Sequence, residues 1–170
     1  MRRIRYAVAM SLDGYIAGPN GEAEWIIMDP DIDFEEIWGQ FDTLLIGRRT
    51  FEAMGGRSGG MPGITAYVLS RTLKPSDYPK VNIIGDDAPA KLTALKAEEG
   101  KDIWLFGGGE LFRSLLDASL VDTVEVAVMP VMLGGGIPLL PPPAMQTKLT
   151  LTGHKVHEKT GIVSLEYTIA

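Results

Sequence analysis

The chain has 170 residues, 45% of them hydrophobic and 22% charged, and it contains no cysteine. That length is enough to bury a sizeable core, and the missing cysteines exclude disulfides, thiolate catalysis and cysteine-bound zinc. A net charge of −6 argues against nonspecific nucleic-acid binding, which needs a basic surface, and no uninterrupted apolar run is long enough to span a bilayer.

The opening stretch MRRIRYAVAMSLDG carries basic residues and an apolar run, but Ser11 and Asp13 cut the run short. It reads as a first strand over 4–10 rather than a signal peptide, and the cytoplasm is the expected location. A helix is predicted over 33–41, a strand over 43–47 (TLLIG) and a helix over 49–55. Strands follow at 65–70 (TAYVLS) and 81–85 (VNIIG), then a helix at 88–98 with acids before it and proline in its first turn. A strand at 102–107 (DIWLFG), a helix at 109–118 and a strand at 123–132 complete the alternation. The tail alternates across a KTG turn and predicts a C-terminal hairpin. Strands alternating with helices imply a mostly parallel sheet covered on both faces, with the hairpin adding antiparallel strands at one edge. The Gly/Pro-rich loops at 55–63 and 133–143 are too short for domain linkers, so the expectation is one α/β domain over 1–170.

Three consecutive glycines, Gly107, Gly108 and Gly109, stand between a strand and a helix. Glycine weakens either element, so the run calls for a reason. Ligands of such sheets bind beyond the carboxyl ends of the parallel strands. Glycine there lets backbone amides approach a phosphate, and the following helix offers its positive N-terminus. The pattern is neither G-x-G-x-x-G nor a P-loop. A second junction places Arg48, Arg49 and Thr50 after Gly47, and arginines suit a helix start when an anion sits there. A third ends a strand with Ser70, Arg71 and Thr72. Three phosphate-friendly strand ends match a dinucleotide with a pyrophosphate and a further 2′-phosphate, pointing to NADPH over NADH.

SLDGYIAGPNGEAEW, LLIGRRTFEAM, VLSRT and LFGGGELFRSLL stand in the order and approximate spacing of the dihydrofolate reductase-like superfamily, and MPVMLGGGIPLLP resembles a segment of its riboflavin-biosynthesis branch, the RibD C-terminal domain. The resemblance covers essentially the whole chain. It implies a three-layer fold and an NADPH-dependent reductase of a small heterocycle. It assigns Ala9, Ile16, Gly18 and Gly21 to the strand end and loop over the nicotinamide, Arg48, Arg49 and Thr50 to adenosine-side phosphates, and Ser70 and Arg71 to the 2′-phosphate. Gly107, Gly108, Gly109, Glu110, Leu111 and Phe112 match the pyrophosphate loop. Relatives are often dimers, and an exposed hairpin edge allows a homodimer here.

In dihydrofolate reductases one acid after the tryptophan, at the start of the first helix, manages the proton. The matching stretch EWIIMDPDIDFEEIW leaves Asp29, Asp31 and Asp33 as candidates, with Asp31 preferred, and Asp13 is a further candidate through the branch's Asp-Gly pair. Helix capping and a turn before Gly14 are the competing roles of these acids. Three departures bear on the substrate. Ile64 stands where folate enzymes place an arginine, Ala127 where they place a threonine, and Phe106 where riboflavin-pathway reductases place a substrate-facing acid. Arg57 lies on the preceding 55–63 loop, where any pairing with a tail carboxylate is expected to be exposed and weak. A tail-less pterin- or pyrimidine-like substrate fits this mixture, with Trp25 and Phe106 at the substrate side and Trp38 in the core. His154 and His157 fall on opposite faces of a strand, so no metal is expected there and both are expected to be exposed. A protein that keeps the cofactor cradle without a proton donor is the competing function.

Overall fold

The computed structural model describes residues 1–56 and 62–170, so Arg57 lies outside the described residues. Its elements in chain order are β1 (Ile4–Ser11), β2 (Tyr15–Ala17), α1 (Phe34–Trp38), β3 (Phe41–Gly47), α2 (Arg48–Ala53), β4 (Thr65–Leu69), β5 (Asn82–Ile84), α3 (Ala88–Ala97), β6 (Asp102–Gly107), α4 (Gly109–Asp117), β7 (Thr123–Met129), β8 (Ile137–Pro138), β9 (Leu149–His157) and β10 (Ile162–Ile169). Eight strands form one sheet in the order β5-β4-β3-β6-β1-β7-β10-β9. The first six run parallel; β10 runs antiparallel to β7, and β9 antiparallel to β10. The expected edge hairpin is therefore present.

Strand alternation divides the apolar residues between two layers. On β3, Leu45 faces one way and Leu44 and Ile46 the other. The larger core joins Leu45 to Ile4, Tyr6, Ile103, Leu105, Val124 and Val126 and is closed by Leu92 and Leu95 of α3 and Phe112 and Leu115 of α4. The smaller core joins Leu44 and Ile46 to Ala66 and Val68 and is closed by Phe51 of α2. Helices thus cover both faces.

Several sequence expectations shift. The predicted 33–41 helix shrinks to Phe34–Trp38, capped by Asp33 at its start and ended at Gly39, and it buries none of its residues. Trp38 is 40% exposed, tilted against Phe34, so it is not core. The 123–132 strand stops at Met129, before Pro130, which has no N–H to extend a ladder. β2 and β8, two or three residues each, pair with one another in a small sheet that local periodicity could not reveal. His157 is buried, with Nε2 3.0 Å from the Ser164 hydroxyl, while His154 is exposed. The register pairs His157 with Ile162 across the hairpin, beneath the turn that closes over it.

Candidate active site

A cleft of about 770 Å³ opens at the carboxyl ends of β3, β4, β5 and β6, and its size is that of a typical ligand site. Three strand–helix junctions build it. β3 delivers Gly47, Arg48, Arg49 and Thr50; β4 delivers Ser70, Arg71 and Thr72; β6 delivers Gly108, Gly109, Glu110 and Leu111. The sheet order explains the convergence, because β4, β3 and β6 are adjacent strands and point the same way.

The glycines have separate reasons. Gly107 has φ 135°, a region L side chains rarely adopt, and it is buried at the end of β6. Gly108 has an ordinary φ of −91°, and a Cβ there would meet only the Thr50 hydroxyl, at 3.5 Å. Gly109 cannot carry a side chain: a Cβ would stand 2.7 Å from the Pro138 carbonyl oxygen and 2.9 Å from Pro141 Cδ. Gly108 N-caps the nine-residue α4 without a capping side chain, so the free amides and positive end of that helix face the cleft.

The cleft cations are only loosely held. Arg48 pairs with Glu52 one turn along α2 at 2.9 Å, Arg49 reaches Glu110 at 3.3 Å, and Arg71 stands 3.8 Å from Asp86. The Ser70 oxygen accepts from the amides of Thr72 and Leu73, and its hydroxyl also lies 3.3 Å from the Thr72 hydroxyl. Phe112 closes the glycine loop from below: its ring is stacked on Tyr6 with centroids 4.0 Å apart, so its side chain belongs to the core.

The remaining candidates lie outside the cleft lining, Phe106 on β6 against the smaller core and the others on the β1–β2 side. Ala9 sits on β1 beside Ala127 of β7. Ile16 is half-buried in β2. Gly18 is buried, and a Cβ there would strike the Glu22 carboxylate; Gly21, at φ 86°, is exposed. Trp25 is half-buried and donates its Nε1 proton to the Glu22 carbonyl at 2.9 Å. Phe106 meets Trp104 edge-on, and Trp104 in turn stacks with Phe41.

All four candidate acids are engaged. Asp29 is 2% exposed; it accepts from the Thr160 hydroxyl at 2.5 Å and from the Asp31 amide at 2.8 Å. The Thr160 bond first, and the nearby His157 and Lys159 charges, hold its carboxyl below the ordinary value despite burial. Asp31 pairs with Lys159 at 2.9 Å on the surface. Asp33 caps α1 by accepting from the Glu36 amide. Asp13 accepts from the Ser11 hydroxyl at 2.6 Å and from the Leu133 and Gly134 amides at 3.0 and 2.7 Å, and these bonds, the hydroxyl's foremost, lower its pKa as well.

One wall of the cleft carried no assigned role in the sequence. Gly136, Ile137, Pro138 and Pro141 line it, and Arg113 of α4 holds the segment by donating to the Pro142 carbonyl at 3.0 Å. The signal was there in the GGGIPLLP run, but nothing local tells which strand ends such a loop crosses.

A mostly parallel α/β sheet in this strand order, with helices on both faces and an antiparallel edge hairpin, has the dihydrofolate reductase-like fold. The chain belongs to the RibD C-terminal domain family, whose model matches residues 2–162. It is 34% identical over 179 aligned residues to the uncharacterised protein YyaP of Bacillus subtilis, covering 98% of this chain and 94% of that one. It is 33% identical over 128 residues to dihydrofolate reductase type 1 of Escherichia coli, covering 75% of this chain and 74% of that one. The structure of dihydrofolate reductase from Enterococcus faecalis complexed with NADP(H) superposes with a TM-score of 0.68 at 19% identity, over 98% of this chain and 96% of that one, a likeness of fold. Family and relatives place the chain among reductases of this kind. Among the described residues no helix is long and apolar enough to cross a membrane.

Proposed function

We propose that the protein is an NADPH-dependent reductase of a small pterin- or pyrimidine-like heterocycle, acting as one domain over residues 1–170. The observation that carries the reading is the convergence of Arg48, Arg49, Ser70, Arg71, Gly108 and Gly109 on one cleft. The donor set suits the cofactor: uncapped α4 amides and a side-chain-free Gly108 for the pyrophosphate, and Arg71 with Ser70 for the 2′-phosphate. A bound reduced nicotinamide supplies hydride to the acceptor. The chain's own part is to orient it, through the glycine loop and the β1–β2 side where Ala9, Ile16, Gly18 and Gly21 stand, and to leave a path for one proton. Trp25 and Phe106 offer flat apolar contact to a heterocycle. Ile64 packs against the smaller core and offers no charge, which speaks against recognition of a folate tail carboxylate.

The candidate acids favour a solvent proton over a side-chain donor. A general acid must be protonated at working pH, and Asp13 and Asp29 are both held below the ordinary carboxylate range. Asp31 and Asp33 are the remaining exposed candidates; the first would have to leave Lys159 and the second the start of α1. The same fact supports the competing reading, a protein that binds NADPH without turnover.

Titration with NADPH and NADH, followed by NADPH oxidation over tail-less pterins, pyrimidines and dihydrofolate, tests the proposal. Binding with a preference for NADPH and turnover of a tail-less heterocycle is expected. Binding without turnover of any of these leaves the non-catalytic reading, and efficient, tail-dependent dihydrofolate reduction refutes the substrate class.

A further inference from the structure

The loop after β7 is tied to the turn after β1 by backbone and side-chain hydrogen bonds. The Leu12 amide donates to the Val131 carbonyl at 2.8 Å and the Leu139 amide to the Gly14 carbonyl at 2.9 Å. β2 and β8 pair directly beyond the Gly14–Leu139 bond, and Gly136, at φ 143°, runs so close to the Ala17 carbonyl that no Cβ would fit. At the centre is one carboxylate. Asp13 Oδ1 accepts from the Ser11 hydroxyl and the Leu133 amide, and Oδ2 accepts from the Gly134 amide. Ser11 is fully buried and its oxygen also accepts from the Tyr15 amide at 3.0 Å, so the carboxylate is itself held by an immobile partner.

We propose that Asp13 is a positioning residue whose carboxylate ties the 133–136 loop to the β1–β2 turn and so holds the Gly136–Pro138 wall of the cofactor cleft in place. The proposal rests on the dinucleotide reading of that cleft. It assigns Asp13 a role other than proton transfer. Both oxygens already face protein donors, and a carboxylate accepting three hydrogen bonds has no proton to give while the tie is closed. The tie is reached through the chain: Gly134 lies two residues before Gly136, and Pro138 presses its carbonyl against Gly109 of the phosphate loop. Asp13 therefore acts on the cofactor through the loop it holds.

The test is Asp13→Asn, which keeps the shape but turns one acceptor into an N–H₂ facing an amide N–H. NADPH and NADH affinity should fall together, about tenfold or more, because the wall stands apart from the 2′-phosphate arginine. The rate at saturating cofactor should change little. Asp13→Glu, which retains the charge, should recover part of the affinity. Amide exchange at 131–139 should quicken in the Asn variant while β3 and β6 stay protected, and cofactor should slow exchange at 131–139 in the native protein, since coupling is reciprocal. Unchanged affinity with a collapsed rate would make Asp13 the proton donor and overturn the proposal. Unchanged affinity, rate and exchange would reduce it to a surface turn. If the Asn variant does not fold, native exchange decides: no cofactor protection at 131–139 overturns the proposal. A native protein that binds neither cofactor refutes the dinucleotide reading instead, and exchange in the cofactor-free variant still reads the tie itself.

Discussion

At the amino ends of the parallel strands Arg2, Arg5 and Lys96 are buried and saturated, whereas Arg48, Arg49 and Arg71 at the carboxyl ends are more exposed and loosely held. Arg5, 8% exposed, lays its guanidinium bidentately on Glu125 at 2.7 Å, donates to Gln40 at 2.7 Å and sits 4.7 Å over the Phe41 ring. Lys96 is 8% exposed and reaches Asp122 at 2.6 Å and the Leu120 carbonyl. Arg2, equally buried, is bonded to Asp42, Thr43 and the Lys101 carbonyl. Arg48, Arg49 and Arg71 have one acid each, at 2.9 to 3.8 Å, with Arg49 and Arg71 mostly in solvent. One end of the sheet spends its charges on stability; the other keeps them available for a ligand. A buried pair is expensive to break, and an exposed one contributes little to folding.

The largest break in that comparison is Arg5→Ala. It strands Glu125 in a partly buried site and should cost about 3 kcal/mol of stability, read by denaturant unfolding. Cofactor affinity of the folded fraction should be unchanged.

The glycine loop sharpens the contrast within the cleft. Gly109→Val meets backbone and should destabilise by about 1–3 kcal/mol. Gly108→Val meets only Thr50, so it should fold normally and still lose NADPH binding. Normal affinity in a folded Gly108→Val protein would move the phosphate site elsewhere.

Arg71→Ala should leave stability within about 0.5 kcal/mol, because its side chain is solvated. It should cost about tenfold in NADPH affinity and little in NADH affinity, the loss of one charge-assisted contact to the 2′-phosphate. Equal losses for both cofactors would place Arg71 on the shared pyrophosphate. Asp86→Asn is the smallest change: it frees Arg71 from an exposed partner and should raise the NADPH preference by about two- to fivefold.

Acid acts on both regions alike. Asp102 at the base is pushed up by burial, but hydrogen bonds from Arg3 and the charges of Arg3 and Arg5 outweigh this and hold it below 3.8. Asp29 is likewise held below 3.8. A carboxyl depressed in the folded state binds its proton more readily when unfolded, so its stabilisation is complete above the ordinary value and is lost as pH falls through the folded value. The unfolding midpoint should therefore be flat from neutrality down to about pH 4–5 with respect to these groups and drop below that. Asp102→Asn should be less stable at neutral pH and show a shallower acid limb.

The strands, the helices behind them and the glycine loop were legible in the sequence because their signals are local: alternation, helical spacing, and small residues where backbone must approach. The arginines could be placed together because parallel strands end on one side and helices begin there. What no local signal carried was which surface a loop residue meets. Asp29, Asp31 and Asp33 sit in one stretch with identical chemistry, yet Thr160 takes the first, Lys159 the second and the α1 amides the third. The first two partners lie some 130 positions along the chain, on the hairpin turn. Trp38 was expected inside because it is large and apolar, but its helix is too short to press against either core. Composition and periodicity determined the layers of this protein and the end of the sheet where its cleft opens. Only the tertiary structure decided which carboxylates are tied down and which cations remain free, because those outcomes depend on contacts between segments distant in sequence, and local patterning carries no record of them.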